Sequence, residues 1–127
     1  MSEVSTPRPI NSPDELVKSY TGGIRYFQNA QLREADLHNL DLKGSDLSYA
    51  DLSSANLSRA NLRGCDLSYA DLSDANLEGA DLRGAMLFYT NLRQANLQGA
   101  KLDNADWDKN SPYPLFPNTE PTKDAVQ

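Results

Sequence analysis

Leucine returns at every fifth position from Leu32 to Leu102, fifteen times without a break, and Phe27 and Trp107 extend the series at its ends. Two residues before each centre the side chain is usually small, as at Ala30, Ala35, Ala50, Ala55, Ala60, Cys65, Ala70 and on to Ala105. The residue just before the centre is mostly Asp or Asn, so the unit reads Ala-(Asp/Asn)-Leu-x-x. A period of five suits neither regular element. Five helical steps turn by roughly 140°, which would scatter the leucines around the cylinder. On a flat strand an odd period flips successive leucines to opposite faces. The repeats also contain no Val or Ile, so strand propensity is poor. All centres share one interior only if the chain turns within every unit, and Asp, Asn, Gly and Ser at the outward positions supply the turn chemistry.

A longer period gives the number of turns per coil. Residues 45–64 match residues 65–84 at 15 of 20 positions, whereas sliding by five, ten or fifteen gives 10, 8 and 11 matches. Tyr49, Tyr69 and Tyr89 recur at this spacing, as do Gly44, Gly64 and Gly84. Four units therefore close one coil and the cross-section is square. Coils about 4.8 Å apart would stack into a rod roughly 20 Å tall. The expected core is the column set Phe27, Leu32, Leu37, Leu42, Leu47, Leu52, Leu57, Leu62, Leu67, Leu72, Leu77, Leu82, Leu87, Leu92, Leu97, Leu102 and Trp107.

The seventeen consecutive units over residues 25–108 resemble the pentapeptide-repeat family, and Ser-Pro-Asp-Glu-Leu followed by Tyr-Thr-Gly-Gly-Ile-Arg-Tyr-Phe is similar to the helical lead-in of its cyanobacterial members. The resemblance implies an all-β solenoid, a right-handed quadrilateral β-helix with centres and small residues pointing inward. The right hand comes from the resemblance alone.

A repeat coil cannot cover its own ends, so both need caps. Ser12-Pro13-Asp14-Glu15 combines an N-cap serine, proline at the first helical position and glutamate at the third. Gly22-Gly23 should stop that helix near Tyr20 or Thr21. Leu16, Val17 and Tyr20 are expected to lie over the first coil beside Phe27. Beyond Trp107, the stretch Pro112-Tyr113-Pro114-Leu115-Phe116-Pro117 is apolar and stiff enough to fold over the last coil. The chain thus divides into a disordered tail over 1–11, a capping helix and turn over 12–24, the β-helix over 25–108, and a C-terminal capping segment and tail over 109–127.

Charge narrows the choice of partner. The net charge is −6, and residues 25–108 hold 13 acids against 8 bases. That opposes direct nucleic-acid binding, which needs clustered Lys and Arg. No apolar run approaches membrane-spanning length. The opening Met-Ser-Glu-Val-Ser-Thr-Pro-Arg-Pro has neither the basic start nor the apolar stretch of a signal peptide, and the single Cys65 has no partner for an internal disulfide. A cytoplasmic protein, monomeric or weakly dimeric, is expected.

The surface offers two candidate features. One is the ladder of Tyr49, Tyr69 and Tyr89 with Phe88, either a partner-binding strip or a stack that only stabilises the coils. The other is an acidic edge in which Asp46 stacks on Asp66 and Asp51 on Asp71. Like charges about 5 Å apart repel by roughly 3 kcal/mol at an effective dielectric near 20, before salt screening. Elsewhere asparagine interrupts such columns, as Asn56, Asn76 and Asn96 do after Asp36, and Lys43, Arg63 and Arg83 stack beside Asp41, Asn61 and Asp81. The edge offers a site for a basic protein surface or a cation, but a solvated, hydrogen-bonded set of turn carboxylates is the plainer reading and is favoured over a specific metal.

His38, the sole histidine, points outward, while Cys65 takes a small inward position and behaves as a buried apolar residue. They fall on different faces, and no serine has a histidine to activate it. No phosphate loop or metal-ligand spacing is present. The reading is therefore a non-catalytic, cofactor-free interaction module with a protein partner. The alternative, also from the resemblance, is an acidic DNA mimic, since some pentapeptide-repeat proteins inhibit DNA gyrase by presenting an acidic rod. The solenoid reading sets a stability gradient: Leu67→Ala should cost about 2–5 kcal/mol and Leu32→Ala less. Paired chemical melts giving equal losses would contradict it.

Overall fold

The computed structural model describes residues 8–117. Helix α1 spans Pro13–Thr21. The Ser12 hydroxyl accepts from the Glu15 N–H at 3.2 Å, and the Gly22 and Gly23 N–H groups donate back to the Lys18 and Tyr20 carbonyls. The glutamate carboxylate pairs with Arg8 at 2.5 Å. Leu16 is fully buried and Tyr20 packs against the core, but Val17 is 40% exposed. On a helix Leu16 and Tyr20 are separated by only about 40°, whereas Val17 lies about 100° from Leu16, off the contact stripe. The stretch expected to be disordered over 1–11 is docked from Arg8 onward: Ile10 packs on the core and its carbonyl accepts from the Gln31 N–H at 2.7 Å. The other residues of the two expected tails, 1–7 and 118–127, lie outside the described residues.

From Tyr26 the chain coils with parallel pairings at an offset of 20 residues, from Tyr26–Asp46 to Met86–Asp106. From Phe27 to Leu87 each centre N–H donates to the coil above, as Phe27 does to Asp46 at 2.7 Å. The second residue after the centre does likewise, as Asn29 does to Ser48. The residue before the centre donates to the coil below, as Asp46 does to Arg25. A further bond closes each turn: the N–H three residues after the centre donates to the centre's carbonyl, at 3.0 Å from Cys65's neighbour in the series, Ala60, to Leu57. Every second residue after a centre, from Asn29 to Asn104, has positive φ, as the third residue of a type II turn requires. The sides are single bridging residues between turns, so the fold makes little demand on strand propensity.

The four sides carry centres Phe27, Leu47, Leu67, Leu87 and Trp107 (side 1), Leu32, Leu52, Leu72 and Leu92 (side 2), Leu37, Leu57, Leu77 and Leu97 (side 3), and Leu42, Leu62, Leu82 and Leu102 (side 4). All fifteen leucines and Phe27 are buried, and Trp107 is partly buried at the open end. Leu40, a large residue at a small position, is in the first coil with no coil beneath it, and it faces the groove lined by Val17, Tyr20 and Arg25.

The C-terminal segment covers the last coil by rejoining it. Leu115 pairs with Asn91 at an offset of 24, donating to the Thr90 carbonyl at 3.0 Å and accepting from Leu92 at 2.8 Å. Pro114 is buried at the small position, and Phe116 takes the centre and meets Trp107 edge-on at 5.4 Å. Pro114 to Pro117 thus open an eighteenth unit, displaced by a four-residue insertion, and Tyr113 is the corner residue before it.

Hydroxyls and thiols at small positions follow one rule. The Cys65 thiol donates to the Leu42 carbonyl at 3.0 Å and the Thr90 hydroxyl to the Leu67 carbonyl at 2.8 Å, each reaching a centre 23 residues earlier. The same offset from Ser45 reaches Gly22, outside the coil, and the buried Ser45 hydroxyl has no partner. An unsatisfied buried polar group costs about 1–3 kcal/mol. Ser45→Ala, which restores the usual alanine, should therefore raise stability by about 1 kcal/mol in urea denaturation. A loss of stability would show that the hydroxyl is satisfied.

Candidate partner-binding surface

The residue before each centre serves the turn. The side-chain Oδ1 of Asp46, Asp51, Asp66 and Asp71 accepts the N–H two residues on, at 2.9–3.1 Å. The Ser48, Ser53 and Ser73 hydroxyls donate to the same oxygens at 2.6–2.7 Å. Asn56 makes both bonds with Ser58, at 3.1 and 2.7 Å, and Asn76, Asn91 and Asn96 make the backbone one. This is the Asx turn, and it accepts amide or carboxylate alike.

The expected acidic pairs exist: Asp46 bridges Asp66, and Asp51 bridges Asp71. Each column is two carboxylates tall. Tyr26 and Met86 bound one, and Gln31 and Asn91 bound the other. Among the described residues no group of three or more His, Cys, Asp or Glu side chains is placed to hold a metal ion.

Between these columns stands the tyrosine ladder. Tyr49 and Tyr69 stack at 4.8 Å and 2° between planes, and Tyr69 and Tyr89 at 5.1 Å and 12°. Tyr113 adds a fourth ring, tilted by 42° at 5.5 Å from Tyr89. The 20-residue period hides this ring, because it arrives at an offset of 24; its signal is the Tyr-Pro-Leu-Phe-Pro run, in which phenylalanine stands at the centre in place of leucine. Phe88 is half-buried in the neighbouring column above Ser48 and Ser68, outside the stack. The three repeat tyrosines are 57%, 50% and 43% exposed and sit at φ of 62°, 63° and 59°. A bulky residue in that region is backbone-strained. Stacking, about 0.5–1.5 kcal/mol per aromatic pair, offsets part of that strain.

Elsewhere on the rod a few charged groups pair locally. Arg83 binds Asp81 within one unit at 2.6 and 2.8 Å, which holds the Asp81 carboxyl below its ordinary value, with a smaller contribution from Arg63. On the first coil His38 Nδ1 meets Asp36 at 2.5 Å and lowers that carboxyl in the same way. Burial pushes the Cys65 thiol up to about 12. A thiol so protonated and enclosed is inert as a nucleophile. No helix among the described residues is long and apolar enough to cross a membrane.

Comparison with known proteins agrees with this geometry. The family described as pentapeptide repeats matches in eight copies, over residues 26–64, 45–84, 65–104 and 90–109. A pentapeptide repeat protein from Nostoc Pcc 7120 is 59% identical, with 90% of this chain and 93% of that chain aligned at a TM-score of 0.84. One from Cyanothece 51142 is 36% identical over 67% of this chain and 58% of its own, with a TM-score of 0.65. One from the Arabidopsis thaliana thylakoid lumen is 35% identical over 68% of this chain and 61% of its own, also with a TM-score of 0.65. No curated protein matches the chain.

The Asp81–Arg83 pair predicts a pH effect. A carboxyl whose folded value is depressed contributes stability that is complete above its unfolded value, about 3.9, and is lost as pH falls through the folded value. Asp81→Asn should flatten the acid side of the stability profile below about pH 4 while keeping the turn. Denaturation midpoints with the same acid slope in both proteins would refute this.

Proposed function

The chain belongs to the pentapeptide-repeat family and is a right-handed quadrilateral β-helix, and from that premise we propose that it is a non-catalytic protein-interaction module whose docking surface is the tyrosine strip. The observation that supports this reading is the exposure of three aligned tyrosines, 43–57%, on a rod whose other outward side chains are mostly short and polar. Tyrosine brings large contact area at low entropic cost, because only two torsions are restricted on binding. Stacking has already restricted them here. The serine and aspartate side chains beside the ladder are held by hydrogen bonds to their own turns. Such preorganisation lowers the entropic cost of association.

Charge arrangement favours this reading over an acidic DNA mimic. A duplex mimic needs carboxylates distributed around the rod, but side 3 carries Asn56, Asn76 and Asn96, and side 4 carries Arg63, Arg83 and Lys101.

Tyr69→Ser tests the proposal, since Ser54 occupies an equivalent corner at φ 57°. The substitution should lower stability by about 1–2 kcal/mol through lost stacking and leave the coil folded. Affinity capture from native lysate, quantified by mass spectrometry, should lose a partner that wild type retains. An unchanged set of partners would leave the ladder a purely structural stack. Inhibition of gyrase supercoiling by the purified protein, unaffected by Tyr69→Ser, would replace this reading with the DNA mimic.

A further inference from the structure

The turn bonds leave one choice open to the sequence, and that choice is not made evenly around the rod. Asp and Asn support the turn with the same Oδ1 acceptor and with matching distances, as Asp51 with Ser53 and Asn56 with Ser58 demonstrate. Asparagine avoids like-charge stacking, so the fold by itself favours it wherever columns form. Yet both stacked carboxylate pairs, Asp46–Asp66 and Asp51–Asp71, flank the tyrosine ladder, one on each side. In the two middle coils, sides 1 and 2 (residues 46–55 and 66–75) carry Asp46, Asp51, Asp66, Asp71 and Asp74 with no Lys, Arg or His. In the same coils sides 3 and 4 (residues 56–65 and 76–85) carry three bases, Arg59, Arg63 and Arg83, against two acids, Glu78 and Asp81.

The ladder's own geometry defines what it presents. Tyr69 is covered on both faces by Tyr49 and Tyr89, so its exposed half is ring edge and hydroxyl. The residue one coil below Tyr49 is Asn29, so no aromatic ring stacks on the lower face of Tyr49, the most exposed of the three repeat tyrosines, and a cation can approach it there. A row of hydroxyls between two rows of carboxylates is built from hydrogen-bond acceptors that suit ammonium and guanidinium donors.

We propose that the strip centred on Tyr49, Tyr69 and Tyr89 and bounded by Asp46, Asp51, Asp66 and Asp71 docks a cationic polypeptide segment rich in arginine or lysine. The complementary charge relieves the repulsion within each carboxylate column and matches the face of the two middle coils from which bases are absent. The proposal rests on the docking reading of the ladder and adds the chemistry of the partner.

The test uses the full chain, with a labelled oligo-arginine peptide and an oligo-glutamate peptide of equal length as probes in fluorescence anisotropy. Oligo-arginine should bind, oligo-glutamate should not, and affinity should fall as salt rises. Asp66→Asn with Asp71→Asn, which keeps the turn acceptors, should weaken oligo-arginine binding about tenfold. Arg63→Gln with Arg83→Gln on side 4 should leave it unchanged or tighter. Binding that ignores the aspartate substitutions would overturn the proposal, as would equal binding of the glutamate peptide. Displacement of the peptide by calcium at equivalent concentration would also overturn it, making the strip an ion site. If oligo-arginine fails to bind while partner capture still depends on Tyr69, the cationic partner is excluded and the docking surface stands.

Discussion

The bond from the N–H three residues after each centre to that centre's carbonyl is the constraint on which the rest of the structure depends. It is made in every unit from Phe27–Ala30 to Leu102–Ala105. Closing a turn in five residues forces positive φ at the corner, brings the next centre round by a quarter of a coil, and leaves the intervening backbone groups free to bond up and down the rod. The outward positions then answer to the turn, through the Asx acceptor, and the inward ones answer to the space enclosed. Alanine prevails at the small position because the coil is narrow there, and leucine at the centre because four leucines per coil fill the interior.

Regularity of this kind makes the ends and the exceptions informative. Cys65 and Thr90 can stand in the alanine column because a carbonyl 23 residues earlier accepts their hydrogen. Ser45, in the first coil, is denied that acceptor. At the bottom, Leu16, Ile10 and Leu40 supply apolar surface that the next coil supplies elsewhere. At the top, Trp107 and Phe116 close the interior, with Lys109 lying 3.1 Å over the tryptophan ring. Rigid middle coils between two plugged ends display a fixed set of short side chains, with one aromatic line among them.

That line is not required by the turn. Gly44, Gly64 and Gly84 occupy the preceding corner, where positive φ carries no steric penalty. Tyrosine accepts the strain at the next corner and recovers part of it by stacking. The carboxylate pairs beside it likewise run against the electrostatic preference for asparagine. Two locally unfavourable choices made side by side are the pattern expected where a surface is shaped by something outside the fold.

The sequence by itself determined the coil: the five-residue period, the four units per turn, the seventeen inward centres, the N-cap at Ser12 and the stop at Gly22. Each of these follows from a short-range rule repeated until no other conformation satisfies it, and such rules leave a period in the letters. The tyrosine and aspartate columns were legible on the same ground, since a 20-residue offset converts position directly into adjacency. Only the tertiary structure decided where the chain departs from the period. Tyr113 joins the ladder and Phe116 the core through backbone bonds between Leu115 and the Thr90–Leu92 segment, and bonds of that kind carry no side-chain signature. Ile10 docks on Gln31 through a carbonyl for the same reason, and Val17 turns to solvent because packing against the first coil selects the Leu16–Tyr20 stripe, from which Val17 stands off by about 100°.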